Sequence, residues 1–148
     1  MSQTTDTLRK EIFIECSPST LFSFFIDPEK MNRWMGRHVL LEPRVGGKYR
    51  IDINGENIAV GEYKEIVVNE KIVMSWGWMG SEIMPPGSST VEFILTPREN
   101  GTLLTLIHHD IPVEKLTSNN NGWTHYMERI KQLGEGIDLG PDPWSISK

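Results

Sequence analysis

The middle of the chain alternates apolar and polar residues with a period of two, from about residue 38 to residue 110. Such alternation is typical of β-strands that bury one face, because successive side chains of a strand point to opposite sides of the sheet. Gly, Asn and Pro residues divide this stretch into six runs, so short turns are expected between them. We therefore predict an antiparallel meander whose strands are His38–Glu42, Lys48–Asn54, Ile58–Val67, Lys71–Trp78, Ser89–Thr96 and Thr102–His109.

Two short helices are predicted before the meander, after a first strand that begins at Leu8. Ser17 and Pro18 form a typical helix start, because a serine side chain caps the first turn and proline suits the first helical position. Asp27 and Pro28 end this helix, since proline disfavours helical geometry in the residue before it. Pro28 in turn opens a second helix. The apolar positions of the two helices are Leu21, Phe22, Phe25, Ile26, Met31 and Trp34.

After Pro112 the apolar period changes to that of an α-helix. The helix begins near residue 116 or near residue 121, because residues 118–122 hold several capping residues and poor helix formers. Its apolar face is expected to carry Trp123, Met127, Ile130 and Leu133. Its solvent face is expected to carry Glu128, Arg129, Lys131 and Gln132.

The composition is that of a globular protein with a single domain. The chain has 148 residues, of which 38% are hydrophobic and 24% are charged. A chain of this length buries roughly 68–70% of its unfolded surface, enough for a core and a modest cavity. We expect residues 8–137 to form the folded domain, between a flexible tail at residues 1–7 and an irregular tail at residues 138–148.

Charge and hydropathy indicate which classes of partner and which cellular compartment to expect. The formal net charge is -5, and Lys and Arg are not clustered, which argues against a nucleic-acid partner. The sequence has no pattern of a secretory signal and no apolar run long enough to span a membrane, so we expect a cytoplasmic protein. Cys16 is the only cysteine, which excludes an intrachain disulfide.

Several short motifs follow one another from about residue 8 to residue 136. They are Phe25, Asp27-Pro28-Glu29 and Trp34; Arg44-Val45-Gly46-Gly47-Lys48-Tyr49; Gly61-Glu62-Tyr63 with Glu65-Ile66; Trp76; Thr90-Val91; Gly101-Thr102 with Leu104, Leu106 and His108; and Gly122-Trp123. In this order and spacing they resemble the family of activator of heat shock protein 90 ATPase homologue-like proteins. That family is a branch of the START-like (SRPBCC), birch-pollen-allergen-like helix-grip superfamily.

The resemblance implies an α+β helix-grip fold. A first strand, two small helices and six further antiparallel strands would form a curved sheet of about seven strands, wrapped around a long C-terminal helix. The resemblance does not imply one particular function, because members of the superfamily bind lipids, hormones or polyketides, and some are cyclases or aromatases. The heat-shock activators themselves resemble this chain in one of their two domains.

A helix laid across a curved sheet leaves room for a ligand among the bulky side chains of the concave face. Most of those side chains are expected simply to form the core. Tryptophan also suits a binding site, because its indole presents a flat stacking surface and an N–H donor. The loop Met79–Ser88 is either a lid with adaptable methionines or an ordinary hairpin loop. The candidate ligand-binding residues are Trp34, Tyr49, Trp76, Trp78, Phe93, His108, Trp123 and Met127.

His108 ends an inward-facing apolar series, and two interpretations stay open. In a cavity, its imidazole would bond a ligand or transfer a proton near neutral pH. In the core, it would be a structural histidine bonded to its surroundings. The four histidines lack the spacing of a metal site, and no serine lies in a nucleophile turn, so we expect no metal and no cofactor.

Three functions follow from these observations. The first is a cytoplasmic single-domain protein that binds a small apolar or aromatic ligand between the C-terminal helix and the sheet. The second is an enzyme of the cyclase or hydrolase kind that uses His108 as an acid or base. The third is a module that stimulates a chaperone ATPase, with the chaperone or a second copy of the chain as its partner. We expect ligand binding without catalysis, and neither a membrane nor a nucleic acid as partner.

Overall fold

Seven strands, three α-helices and two single 3-10 turns make up the fold in the computed structural model, which describes residues 4–145. The strands are β1 (Thr5–Ile14), β2 (His38–Leu41), β3 (Lys48–Asp52), β4 (Ile58–Val67), β5 (Lys71–Trp76), β6 (Ser89–Arg98) and β7 (Gly101–Pro112). The helices are α1 (Pro18–Ile26), α2 (Pro28–Trp34) and α3 (Leu116–Gly134), and the 3-10 turns are Val113–Lys115 and Pro143–Ser145.

The strands form one antiparallel sheet in the order β1-β7-β6-β5-β4-β3-β2. β1 and β2 lie at opposite edges, so α1 and α2 carry the chain from one edge to the other. α1 contacts β6 and β7, and α3 contacts β1, α1 and α2. The predicted α+β helix-grip fold, with seven antiparallel strands and a long C-terminal helix, is confirmed.

The first strand starts earlier than its sequence pattern indicates. β1 begins at Thr5, within the segment 1–7 that we expected to be a flexible tail, because residues 5 and 6 pair with the last two residues of β7. β7 accordingly runs to Pro112 rather than ending at His109. Residues 5–7 are exposed on this edge strand. An edge strand that buries neither face needs no apolar alternation, and so the pattern could not show it.

The turns between strands lie where the sequence predicts them. Asn69 and Asn100 have φ values of 62° and 66°, in the left-handed region that asparagine tolerates better than most residues. Gly46 and Gly55 have φ values of 82° and 91°, a conformation that glycine adopts without steric cost.

Side-chain caps set the boundaries of α1 and α2, as the sequence predicts. The hydroxyl of Ser17 accepts a hydrogen bond from the backbone N–H of Thr20 at 3.2 Å. The carboxylate of Asp27 accepts one from the backbone N–H of Glu29 at 3.0 Å. Each cap satisfies a donor that a helix start leaves free, and Asp27 both ends α1 and starts α2.

Aromatic packing fixes α1 and α2 to the sheet. The ring of Phe25 lies 4.5 Å from that of Phe93 on β6 and 5.5 Å from that of Trp34 on α2, between centroids. The hydroxyl of Tyr63 on β4 donates a hydrogen bond to the carbonyl oxygen of Phe25 at 2.9 Å. The two small helices therefore belong to the same core as the sheet.

α3 begins at Leu116, the earlier of the two predicted starts. Trp123, Met127 and Ile130 are buried, as the apolar period predicts. Tyr126 is buried on the same face. α3 therefore turns toward the sheet the face that its spacing of apolar residues indicates.

Arg129 is buried, contrary to our expectation that it lies on the solvent face of α3. Its Nε donates to the carbonyl oxygen of Trp34 at 3.0 Å, and its Nη2 donates to those of Arg33 and Gly140, each at 3.1 Å. Hydrogen bonds to these backbone carbonyls offset the cost of removing the guanidinium from water. The side chain thereby joins the end of α2 to the segment after α3.

Candidate functional site

A cavity of about 490 Å³ lies between α3 and the loop that joins β5 to β6. Its aromatic lining comes from three parts of the chain: the end of β5, the inner face of α3, and the last described residues. Three methionines also line it. The aromatic lining residues are Trp76, Trp78, Trp123, Tyr126 and Trp144, and the methionines are Met35, Met79 and Met84.

Three tryptophans form the central part of this lining. The ring of Trp76 lies 5.2 Å from that of Trp123 and 6.0 Å from that of Trp78, between centroids. On its other side, the ring of Tyr49 stacks on Trp76 at 5.6 Å. Such tilted and edge-on contacts are the arrangements that aromatic rings prefer. The structure thus holds flat apolar surfaces rigidly against an open space.

Three of the eight candidate residues, Trp76, Trp78 and Trp123, line this cavity. The others are buried in the core, where they bond or pack with the protein itself. The indole N–H of Trp34 donates to the carbonyl oxygen of Phe24 at 3.0 Å. The hydroxyl of Tyr49 donates to the backbone carbonyl oxygen of Ser75 at 2.6 Å. The candidates outside the cavity lining are Trp34, Tyr49, Phe93, His108 and Met127.

The sequence indicated the cavity only incompletely. Tyr126 lies three residues after Trp123 on α3, a spacing that puts both on one face and could have identified it. Trp144 belongs to the tail that we expected to be irregular, where the only signal was the presence of an aromatic residue. Met84 is fully buried within the loop Met79–Ser88, so this part of the loop packs against the domain.

His108 is buried with both ring nitrogens bonded to protein groups. Nδ1 accepts the indole N–H of Trp123 at 3.0 Å. Nε2 lies 2.9 Å from the hydroxyl of Ser89, which itself donates to the carbonyl oxygen of Trp76 at 2.8 Å. Since that hydroxyl uses its hydrogen on the carbonyl, it accepts from the ring, and the neutral tautomer carries its proton on Nε2.

Burial and, to a smaller extent, the charge of His109 lower the pKa of His108 to about 3. The imidazole is therefore neutral at physiological pH and would resist protonation. An acid or base needs a nitrogen that faces the substrate, and both nitrogens of this ring face Trp123 and Ser89. This geometry is that of a structural histidine and gives the catalytic hypothesis no support.

The indole N–H of Trp76 is buried and has no hydrogen-bond partner among residues 4–145. Buried donors are nearly always satisfied in proteins, so each exception requires an explanation. Trp76 also lines the cavity. A water molecule or a ligand acceptor that reaches this N–H would satisfy it.

Several polar side chains also line the cavity. Glu56 and Lys115 bring opposite charges to the lining. Tyr126 has a pKa well above its ordinary value, because it is buried and because its hydroxyl bonds to the carboxylate of Asp142. It is therefore a neutral donor. Ser81, Ser118 and Asn119 contribute further polar groups.

The family model for Activator of Hsp90 ATPase homolog 1-like proteins matches residues 15–135. The chain belongs to this family. A mouse (Mus musculus) relative, "Activator of 90 kDa heat shock protein ATPase homolog 2", is 33% identical over 119 residues, which are 78% of this chain and 34% of the mouse protein. The matched region of this chain thus corresponds to about a third of the length of the mouse protein, 34%.

Two solved structures of similar proteins share the fold. The solution structure of an AHSA1-like protein from Rhizobium etli is 38% identical, with a TM-score of 0.77, and the match covers 98% of this chain and 91% of that one. The solution structure of an Aha1 dimer from Colwellia psychrerythraea is 17% identical, with a TM-score of 0.77, and the match covers 88% of this chain and 97% of that one. The second likeness shows the fold alone.

Within residues 4–145, no helix is both long enough and apolar enough to cross a membrane. In the same residues, no three His, Cys, Asp or Glu side chains are grouped so that they could hold a metal ion.

Proposed function

We propose that the protein binds one small apolar or aromatic molecule in the cavity between α3 and the β5–β6 loop, without catalysing a reaction. The observation that carries this proposal is the aromatic lining, with Trp76, Trp78 and Trp123 held against about 490 Å³ of space. This volume lies within the range of roughly 300–1,000 Å³ that small-molecule sites occupy.

The chemistry of the lining favours a flat ligand that carries at least one acceptor. Indole rings stack on flat π-systems, and methionine side chains adapt to irregular apolar outlines. Within the part of the chain that the structure describes, the buried N–H of Trp76 has no hydrogen-bond partner. A carbonyl, ether or phenolate oxygen on the ligand would supply an acceptor at low cost, whereas a purely aliphatic ligand would leave this donor unsatisfied.

Binding without catalysis is favoured because the best catalytic candidate is occupied. Both nitrogens of His108 are bonded to side chains of the protein. Its pKa of about 3 also makes the neutral ring a weak base, and near neutral pH almost none of the protonated form is present to act as an acid. The cytoplasm suits such a protein, because the single Cys16 needs no oxidising compartment.

Gly122 offers a direct test because it lines the cavity from α3. A Cβ atom added there would meet only the ring of Trp144, at 3.8 Å, which is an ordinary contact. Gly122→Leu would therefore place a branched side chain in the cavity. Gly122→Ala is the matched control, because alanine suits the helix better than glycine and adds a single methyl group.

The experiment is a titration with anilinonaphthalene sulfonate (ANS), followed by the emission of the probe and by quenching of tryptophan. We expect near one-to-one binding to the native protein and to Gly122→Ala. Gly122→Leu should bind at least about tenfold more weakly, or about 1.4 kcal/mol. Cooperative urea unfolding of all three proteins would show that ANS reports a folded cavity. Equal affinity in all three, or no binding to the folded native protein, would contradict the proposal.

A second candidate is stimulation of a chaperone ATPase, with the chaperone or a second copy of this chain as partner. It is favoured by the family membership and by the name of the mouse relative, of which this chain spans 34%. An ATPase assay with added chaperone would test it, and Gly122→Leu distinguishes the two functions. A change in ATPase rate that Gly122→Leu leaves intact would place the function on the surface rather than in the cavity.

A further inference from the structure

Residues 138–145, which we call the strap, place one residue at the cavity and have little apolar burial of their own. Between residues 135 and 145, Asp142 is the only buried residue. The strap contributes Trp144 to the cavity lining, although 44% of this residue is exposed. A segment with so few buried apolar contacts opens at a lower free energy than a core strand or helix.

The carboxylate of Asp142 fixes the strap to the domain through both of its oxygens. Oδ1 accepts from Nε2 of His125 at 2.9 Å and from the backbone N–H of Trp144 at 3.0 Å. Oδ2 accepts from the hydroxyl of Tyr126 at 2.6 Å and from the backbone N–H of Gly36 at 3.1 Å. Burial raises the pKa of Asp142, but these four bonds outweigh it and hold the pKa below its ordinary value.

The same two residues of α3 also position Trp144. Its indole stacks on the imidazole of His125, with centroids 4.2 Å apart and planes at 4°. The ring of Tyr126 meets it edge-on at 5.8 Å. His125 and Tyr126 thus hold the carboxylate of Asp142 and the ring of Trp144 together. Loss of the carboxylate bonds would leave Trp144 held by these ring contacts, and the strap held by the bond from Arg129 to the carbonyl oxygen of Gly140.

We propose that the strap is a gate of the ligand cavity, in which Asp142 is the latch and Trp144 is the moving wall. With the four bonds of Asp142 in place, Trp144 closes one side of the cavity. When they break, the strap moves away and a ligand enters or leaves. This proposal rests on the ligand binding proposed above, and it adds Trp144 to the residues that contact the ligand.

The gate predicts a kinetic signature. A weaker latch raises the populated fraction of the open state, so both the association and the dissociation of a ligand become faster. Removal of the Trp144 ring should also make association and dissociation faster. It removes a stacking surface as well, so it weakens the affinity for the ligand. A strap that is only structural would change the stability of the protein and leave both rates unchanged.

Asp142→Asn tests the latch, because the amide keeps the shape of the side chain but replaces an accepting oxygen with a donor. Asp138→Asn is the matched control, since it makes the same chemical change at an exposed position of the strap. Stopped-flow mixing with ANS measures the association and dissociation rates. Hydrogen exchange at the amides of Trp144 and Ser145 reports opening of the strap without any ligand.

We expect Asp142→Asn to raise the strap exchange rate and both ANS rates by at least about tenfold, and Asp138→Asn to leave them within about twofold. Faster exchange with unchanged ANS rates would overturn the gate while the cavity proposal stands. A native protein that binds no ANS would overturn both proposals, and the exchange data would still show whether the latch exists.

If Asp142→Asn does not unfold cooperatively in urea, Trp144→Ala is the alternative variant. Trp144→Ala removes the indole ring at the cavity and keeps every hydrogen bond of the Asp142 side chain. We expect faster association, faster dissociation and a weaker affinity for ANS than in the native protein. Unchanged rates and affinity would overturn the role of Trp144 in the gate.

Discussion

The free energy of unfolding should fall between about pH 7.5 and pH 4.5, because the folded protein cannot readily protonate His108. Burial and the neighbouring His109 charge lower the pKa of this group to about 3. In the unfolded chain a histidine has a pKa of about 6.5. The unfolded state therefore binds one more proton than the folded state at pH values between these two. Stability is fully present above the unfolded pKa and is lost as the pH falls through this window.

The size of the effect follows from the two pKa values. Where the unfolded chain carries the extra proton, stability changes by about 1.4 kcal/mol per pH unit. As the pH falls from about 7.5 to about 4.5, the free energy of unfolding decreases by about 2–3 kcal/mol because of His108. This is a substantial fraction of the roughly 5–15 kcal/mol by which folded domains are stable.

Urea unfolding of the native protein and of His108→Gln isolates this contribution. Glutamine keeps an acceptor that can face Trp123 and a donor that can face Ser89, but it does not titrate. All other titratable side chains are shared by the two proteins, so their contributions cancel in the difference. We expect the stability advantage of the native protein over His108→Gln to shrink by about 2–3 kcal/mol across the window.

His109→Gln is the control that replaces a histidine outside the core. His109 lies on the opposite side of β7 from His108 and is partly exposed. That variant should keep most of the pH dependence, because burial is a larger cause of the lowered pKa of His108 than the charge of His109. A native protein and His108→Gln that differ by the same free energy at every pH would refute the reasoning. So would an NMR titration in which the ring of His108 is protonated at about pH 6.

Other substitutions test the packing around the site, each by urea unfolding at neutral pH. Trp123→Ala should cost about 3–5 kcal/mol because it removes a buried indole, and unchanged stability would contradict the assigned face of α3. Asp27→Ala should cost about 1 kcal/mol through loss of the α2 cap, whereas Asp27→Asn should recover most of it. Tyr63→Phe should cost about 1–2 kcal/mol, since it leaves the carbonyl of Phe25 without its donor, and a neutral result would show that water replaces the hydroxyl.

The local signals in the sequence predicted the framework well. The caps at Ser17 and Asp27 act through contacts within one helical turn, so their residue types are enough to place them. The inner face of α3 follows from the spacing of Trp123 and Met127 along a helix. The alternation of apolar residues likewise predicted the number of strands, because each strand of the meander buries at least one face.

The site depends on contacts that no local pattern encodes. Arg129 has the charge of a surface residue, and its burial depends on backbone carbonyls that tertiary folding brings near it. Asp142 and Trp144 lie in a segment without periodicity, and only the position of α3 gives them partners. His108 was correctly placed facing inward, but which groups face its two nitrogens depends on the strand register and on Trp123.

The five tryptophans of the chain allow the most direct test of the cavity. Four of them, Trp76, Trp78, Trp123 and Trp144, line it. Trp34 is an internal control, because its indole N–H is bonded to the carbonyl of Phe24 away from the cavity. The measurement is a ¹H–¹⁵N NMR titration of the indole N–H signals with ANS, with assignment by single Trp→Phe variants. We predict saturable shifts of the four cavity signals and an unchanged signal for Trp34. Signals that do not move, or five that move alike, would contradict ligand binding in this cavity.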